Sequence, residues 1–341
     1  MMKKRVAIVG FGFMGRMHYA NWKKMKGVSV VALCDKDASQ FKSPITGGNL
    51  AGADTSTDFG EAVIYDDFDT MLAQAKPDIV SITLPTPLHV PLTTKALKLG
   101  IHVVCEKPMA LTTADCNAML KAKTAAPKGT HLMIAQCLRF WPAYVFLKKL
   151  VDSKRYGNVL AASFRRYSPP PGWGKGKSWF MDESKSGGVA LDLHIHDSDM
   201  VQFLFGTPKS VTSTAVWDKA GVMQHISTIY DVGGPVVTGD GSWCINPTMG
   251  FEASYHVTFE KAVAILDFKR EKPLCVYPAK GAAFEPTLPS GDGYEYEIKW
   301  FLDLVNGKKV PATTTPEQSR DSVRIVEAEK KSAKTKKTVK L

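Results

Sequence analysis

Apolar residues in the first third of the chain come in short unbroken runs, at Val6–Val9, Val28–Leu33, Ile79–Leu84 and from Gly100 to Cys105. Strands covered on both faces read this way, whereas a strand with one wet face alternates apolar and polar positions. Helical spacing fills the intervals, over Met14–Met25, Phe68–Gln74, roughly Val90–Leu99 and Thr113–Ala125, with further strands at Ala62–Tyr65 and His131–Cys137. Strand and helix in alternation predict a doubly wound parallel sheet. Only Phe41–Glu61, rich in Gly, Ser, Thr, Asp and Asn, breaks the rhythm and reads as an irregular segment.

A helix following Trp141-Pro142 runs to Lys154, and beyond Gly157 the pattern changes. Strands at Val159–Tyr167, Ser210–Val216, Ile226–Tyr230, Val236–Cys244, Phe251–Phe259 and Ala262–Phe268 have hairpin-like spacing and predict a large, mostly antiparallel sheet. A chain of 341 residues is long enough for two cores, so the sequence is divided into an N-terminal domain, 1–128, and a second α/β domain, 129–341.

Chemistry collects where the parallel strands end. The first run stops at Gly10-x-Gly12-x-x-Gly15 before a helix: Gly10 allows a tight turn, Gly12 lets backbone amides approach a pyrophosphate, and Gly15 permits close helix–strand packing. Asp35 closes the second strand 20 residues after Gly15, where a carboxylate accepts from ribose hydroxyls. It favours NAD over NADP, while the adjacent Lys36 leaves NADP open. Pro85-Thr86-Pro87-Leu88-His89 ends another strand, and Cys105-Glu106-Lys107-Pro108 ends a fourth, placing a cation at the mouth of the crevice. A second Glu-Lys-Pro, at Glu271–Pro273, follows Lys269-Arg270 and reads as a solvated turn. His102 and His131 sit in apolar strands as core histidines; His89 is a candidate cofactor contact.

The densest set of titratable groups lies in Gly187–Met200. As a strand, His194-x-His196 has a metal-ligand spacing. As a helix from about Val189 to Phe205, Asp192, His196 and Asp199 share one face at i, i+4 and i+7. The length and the Gly206-x-Pro208 stop favour the helix, and no metal site is expected. An imidazole at His196 takes a proton near neutral pH, Asp192 orients it, and Lys107 stabilises an alkoxide as hydride leaves. That set suits carbinol oxidation by a nicotinamide. Trp173 and Trp179, in and beside the Pro169–Gly174 loop, are candidate walls of a substrate pocket.

Charge changes this picture little. Of the net +11, +5 falls in the last thirteen residues, which read as a solvated tail, and no nucleic-acid module accompanies them. No apolar run reaches the roughly 20 residues of a membrane span, and the short Val6–Val9 run after Met1-Met2-Lys3-Lys4-Arg5 is a strand start. A cytoplasmic protein without nucleic-acid or membrane partners is expected. Six dispersed cysteines, none in a Cys-x-x-Cys, read as reduced core thiols.

With these residues in view the chain resembles, over nearly its whole length, the Gfo/Idh/MocA family of glucose–fructose oxidoreductases and inositol dehydrogenases. The likeness rests on Gly10-x-Gly12-x-x-Gly15, Thr83-Leu84-Pro85-Thr86-Pro87-x-His89, Cys105–Pro108, Arg139-Phe140-x-Pro142 and Gly187-Gly188-x-x-x-Asp192-x-x-x-His196-Asp197. It implies a Rossmann domain and a second α/β domain whose open sheet serves in homo-oligomers, dimers or tetramers. It implies an NAD-dependent dehydrogenase or reductase acting on a hydroxyl or carbonyl carbon of a sugar, polyol or sugar derivative. Lys107, Asp192 and His196 match the catalytic residues. Gly10, Phe11, Gly12, Phe13, Met14, Gly15, Asp35, Lys36, Thr83, Pro85, His89, Glu106 and Lys107 are the expected cofactor contacts, and Lys107, Arg139, Trp173, Trp179, Asp192 and His196 the expected substrate contacts. Two alternatives accompany this reading: a glycosidase-type enzyme that retains NAD and oxidises the sugar transiently, and a non-catalytic binding regulator. The segments Phe41–Glu61 and Pro169–Trp179 depart from the family pattern.

Overall fold

The computed structural model describes residues 3–42, 53, 55–171 and 179–341. Six short strands, β1 (Lys4–Val9), β2 (Val28–Cys34), β3 (Val63–Tyr65), β4 (Ile79–Ile82), β5 (His102–Glu106) and β6 (Leu132–Ala135), form one sheet in the order β3-β2-β1-β4-β5-β6. Every pairing is parallel, with Val9 beside Cys34 on one side and Ile82 on the other. Helices α1 (Phe13–Lys24), α2 (Phe68–Ala75), α3 (His89–Lys98) and α4 (Thr113–Ala125) follow β1, β3, β4 and β5. The continuous apolar runs are explained by burial: β4 is buried throughout, and Val103, Val104 and Cys105 of β5 are fully covered. The strand order reverses between β1 and β4, and the carboxyl ends at such a reversal frame a ligand crevice.

A second sheet has eight strands in the order β13-β12-β11-β7-β10-β9-β8-β14, antiparallel except for the parallel β7–β10 pair. The helix α5 (Pro142–Ser153) leads into β7 (Val159–Tyr167). A short α6 (Glu183–Ser186), a π-helical turn (Ala190–His194) and α7 (Ile195–Phe205) come next. Then follow β8 (Ser210–Trp217), β9 (Met223–Asp231), β10 (Val236–Ser242), β11 (Glu252–Phe259), β12 (Ala262–Asp267) and β13 (Leu274–Pro278). Two helices, α8 (Gly293–Val305) and α9 (Pro316–Thr335), and β14 (Val339–Lys340) complete the chain.

A single division after residue 128 is corrected by the fold. One compact unit comprises Met1–Ala110, Ala114–Cys137 and Asp292–Arg320, and the other Leu111–Thr113, Leu138–Gly291 and Asp321–Leu341. The reasons are local. β6 bonds to β5 and so belongs to the first sheet, and α8 packs on α1, with Lys24 3.0 Å from Glu295.

The solvated tail is also corrected. Lys330, Lys331 and Lys334 lie on α9, and Val339–Lys340 pairs with Val211 and Ser210 of β8. Ser332 Oγ donates to Lys337 O at 2.6 Å, and the Thr338 and Thr212 hydroxyls are 2.8 Å apart. Of the cysteines, all six are free thiols; five are buried and Cys244 is exposed.

Candidate active site

The glycine loop of the first unit has the shape expected for a pyrophosphate. Gly10 has φ +89°, and a Cβ there would meet Leu84 at 2.8 Å. A Cβ on Gly15 would lie 2.0 Å from Gly10 O, which is the close packing of α1 on the strand end. At Gly12 the same construction meets nothing within 4 Å: the backbone opens onto space at the start of α1, where free amides favour an anion. Asp35 is fixed beside it, with Oδ2 accepting from Phe11 N at 2.7 Å and Oδ1 from Asp37 N at 2.9 Å. Lys36 is exposed, and Phe13 and Met14 are half-buried. These features fit an NAD-type dinucleotide. The Phe11 ring, by contrast, is buried against Tyr19, Phe41 and Phe59, with the Arg16 guanidinium 4.9 Å from its centroid. Arg16 also donates to Ser56 O and Gln40 O, so the two ends of the irregular segment are tied back to α1.

The other strand ends of this unit are more occupied with each other than the sequence suggests. Thr83 Oγ1 lies 2.6 Å from Gly10 O and 3.0 Å from Val9 O, stapling the β4 end to the glycine turn. His89 is buried, its Nδ1 2.8 Å from Pro108 O and its Nε2 2.8 Å from Leu84 O. Burial pushes its pKa down, against the two carbonyls, and the ring lies between the Pro85 and Pro108 loops. Glu106 is buried and faces His18 at 2.9 Å, while its second oxygen accepts from Lys107 N at 3.1 Å. The Lys107–Pro108 peptide is cis. His102 and His131 are half-buried and stacked, with ring centroids 5.4 Å apart, so the core placement read for them is corrected.

In the second unit the helical reading of Gly187–Met200 holds, with one change. Its first turn is π-helical, a wide turn that recurs at functional sites. From Val189 to Met200 every residue is buried except Asp192 and His196, which are half-exposed. The expected third member of that face is elsewhere. Asp199 is buried, accepting from Arg139 Nε and a terminal nitrogen at 2.8 Å each and from Ser322 Oγ at 2.6 Å. Arg139, expected to meet substrate, is itself 1% exposed in this bidentate pair. Asp197 is held the same way by Arg166, at 2.9 and 3.0 Å. Ion pairs thus hold α7 through Asp197 and Asp199, while Asp192 and His196 are partly exposed.

His194 is buried with Nε2 3.0 Å from the Tyr230 hydroxyl and 3.4 Å from Glu329. Burial alone would push its pKa down; the Glu329 charge outweighs that and raises it. Gly239 and Gly241 of β10 make room, since a Cβ on Gly241 would lie 2.6 Å from His194. Trp179 is half-buried and stacks on Phe180 at 4.1 Å; Trp173 lies outside the described residues. A recess of about 460 Å³ in this unit is lined by residues including Leu191, Trp217, Met223 and Lys334 but neither Asp192 nor His196. Sequence reading missed Glu329 and Ser322, both on α9, whose apolar spacing at Val323, Val326 and Ala333 was obscured by the surrounding charges.

A parallel sheet in this order, with a glycine turn after β1 and an acid after β2, defines a dinucleotide-binding unit. The family description "Oxidoreductase family, NAD-binding Rossmann fold" matches residues 4–135, and the GFO/IDH/MocA C-terminal domain matches 144–265. An inositol 2-dehydrogenase of Rhizobium meliloti is 31% identical over 326 residues, covering 89% of each chain. The chain belongs to the Gfo/Idh/MocA oxidoreductase family. A D-apiose dehydrogenase of Paraburkholderia graminis is 29% identical over 230 residues, 65% of this chain and 56% of that protein. The chain spans about half the length of the first such relatives. A levoglucosan dehydrogenase solved with NADH and levoglucosan has the same fold, with a TM-score of 0.83 at 19% identity over 99% of both chains.

Proposed function

We propose that this protein is an NAD-dependent dehydrogenase or reductase of a sugar, polyol or sugar derivative. The observation that carries the reading is that Asp192 and His196 are the two partly exposed residues of the otherwise buried stretch Val189–Met200. NAD, held by the Gly10–Gly15 loop and Asp35, supplies the hydride acceptor. His196 takes the proton of the substrate hydroxyl, and Asp192 orients the imidazole or holds a neighbouring hydroxyl. Lys107 brings a positive charge to the developing alkoxide. Relatives named inositol 2-dehydrogenase and D-apiose dehydrogenase support a polyhydroxylated substrate. Asp35 supports NAD over NADP, and we place the protein in the cytoplasm as a homo-oligomer, a dimer or tetramer.

The test is NADH formation, followed by absorbance, with NAD and a panel of polyols and sugars that includes myo-inositol, D-apiose and D-glucosides. Turnover of at least one, lost in His196→Ala, is expected. Turnover of none by folded, NAD-bound protein would contradict the reading.

A further inference from the structure

His18 on α1, Glu106 at the end of β5 and Glu297 on α8 are buried, and one nitrogen or oxygen of each lies within 4.8 Å of the other two. The reaction proposed above does not use this cluster. Glu297 is its unusual member: among the described residues neither carboxyl oxygen has a hydrogen-bond partner. A bare buried carboxylate facing a second one is untenable, so the site needs either a metal ion or a proton.

Hydrogen accounting decides between them. Ser81 Oγ lies 2.6 Å from His18 Nδ1 and accepts from Trp22 Nε1 at 3.3 Å. Among the described residues, Nδ1 is the acceptor within reach of the Ser81 hydroxyl hydrogen, so Ser81 donates to it. His18 then carries its hydrogen on Nε2 and donates to Glu106 Oε1 at 2.9 Å. A metal would need that nitrogen bare. The second Glu106 oxygen accepts from Lys107 N, so Glu106 is the ionised member.

We propose that Glu297 is a positioning residue that works as a neutral carboxylic acid. Its proton leaves Glu106 as the one anion of this cluster, which fixes His18 on one side and the Lys107 backbone on the other. The surroundings agree. Burial first, and then the negative charges of Glu106 and Asp292, push the Glu297 carboxyl well above its ordinary value of 4.5. Tyr294 on the same helix stays neutral, its hydroxyl pushed up by burial, and the Lys24–Glu295 pair is partly exposed.

An acid raised in this way binds a proton in the folded state that the unfolded chain has released, so stability falls as pH rises above about 4.5. His194 adds a slope of the same sign above its ordinary 6.5, so the difference between wild type and Glu297→Gln is the informative quantity. Glutamine keeps a neutral side chain of the same length. Its folding equilibrium, from urea titrations, should gain about tenfold over wild type per pH unit, or about a hundredfold from pH 5.5 to 7.5. Infrared spectra of protein labelled with ¹³C-glutamate should show a protonated carboxyl band at neutral pH that Glu297→Gln lacks. Parallel pH slopes, no such band, or a glutamine variant that cannot fold would each overturn the proposal. So would one equivalent of bound metal, by elemental analysis, that the variant loses. In kinetics, the alkaline limb of kcat should shift in Glu297→Gln. That consequence alone rests on the reading of Lys107, so it can fail while the proton assignment stands.

Discussion

Asp35 holds the glycine turn, and under the proposed function the same side chain selects the dinucleotide. Its carboxylate already caps the Phe11 amide, leaving its charge where a 2′-phosphate would be repelled. Asp35→Ala should narrow the gap between NAD and NADP affinity, read from tryptophan fluorescence titrations, and cost about 1–3 kcal/mol of stability for the lost partner. Equal affinities in the wild type would mean that Lys36 governs the choice. Asp199→Ala should be the more damaging change, about 3–5 kcal/mol in urea unfolding, because it strips Arg139 of its bidentate partner inside the unit. The sequence made these residues legible as types but not as directions. Arg139, His89 and Glu106 stand in motifs beside the chemistry and turn inward, since each finds a buried acceptor or donor that only the fold brings near. Asp192 and His196 were legible because a helix repeats every 3.6 residues; Asp199 was misplaced because ion pairing on α7 overrode that repeat.

At the scale of elements, β7 and α4 appear with the expected limits, while the uniformly buried β4 and β6 end sooner than their apolar runs. The charged C-terminal third hid α8 and α9, whose apolar positions are diluted by Lys and Glu, and it hid β14, only two residues long. Two predictions follow from element geometry. Gly12→Ala should leave stability unchanged, because its Cβ has open space, yet weaken NAD binding about tenfold or more. Gly15→Ala should instead cost about 1–3 kcal/mol of stability or more, because backbone stands in its way. If Gly12→Ala bound NAD normally, the loop would not cradle the cofactor. Deleting Lys336–Leu341, which removes β14 and its hydroxyl contacts, should lower stability by on the order of 2 kcal/mol in urea; no change would restore the view of a solvated tail.

For the whole molecule, the sequence disclosed two sheets and two cores but not their interleaving, since nothing local to Asp292–Arg320 says that it returns to the first sheet. The excess positive charge likewise lost its simple meaning once Lys330 was found 2.6 Å from Glu183 on an ordered helix. The central claim, that Lys107 and His196 serve one hydride-transfer reaction, is best tested by steady-state kinetics on Lys107→Ala, His196→Ala and Lys272→Ala with any substrate turned over. His196→Ala should lower kcat by about 10²–10⁴-fold with NAD affinity nearly intact, and Lys107→Ala by a comparable factor. Lys272→Ala, in the exposed second Glu-Lys-Pro where the lysine pairs with Glu285, should leave kcat unchanged. Wild-type turnover in Lys107→Ala, or its loss in Lys272→Ala, would contradict the account.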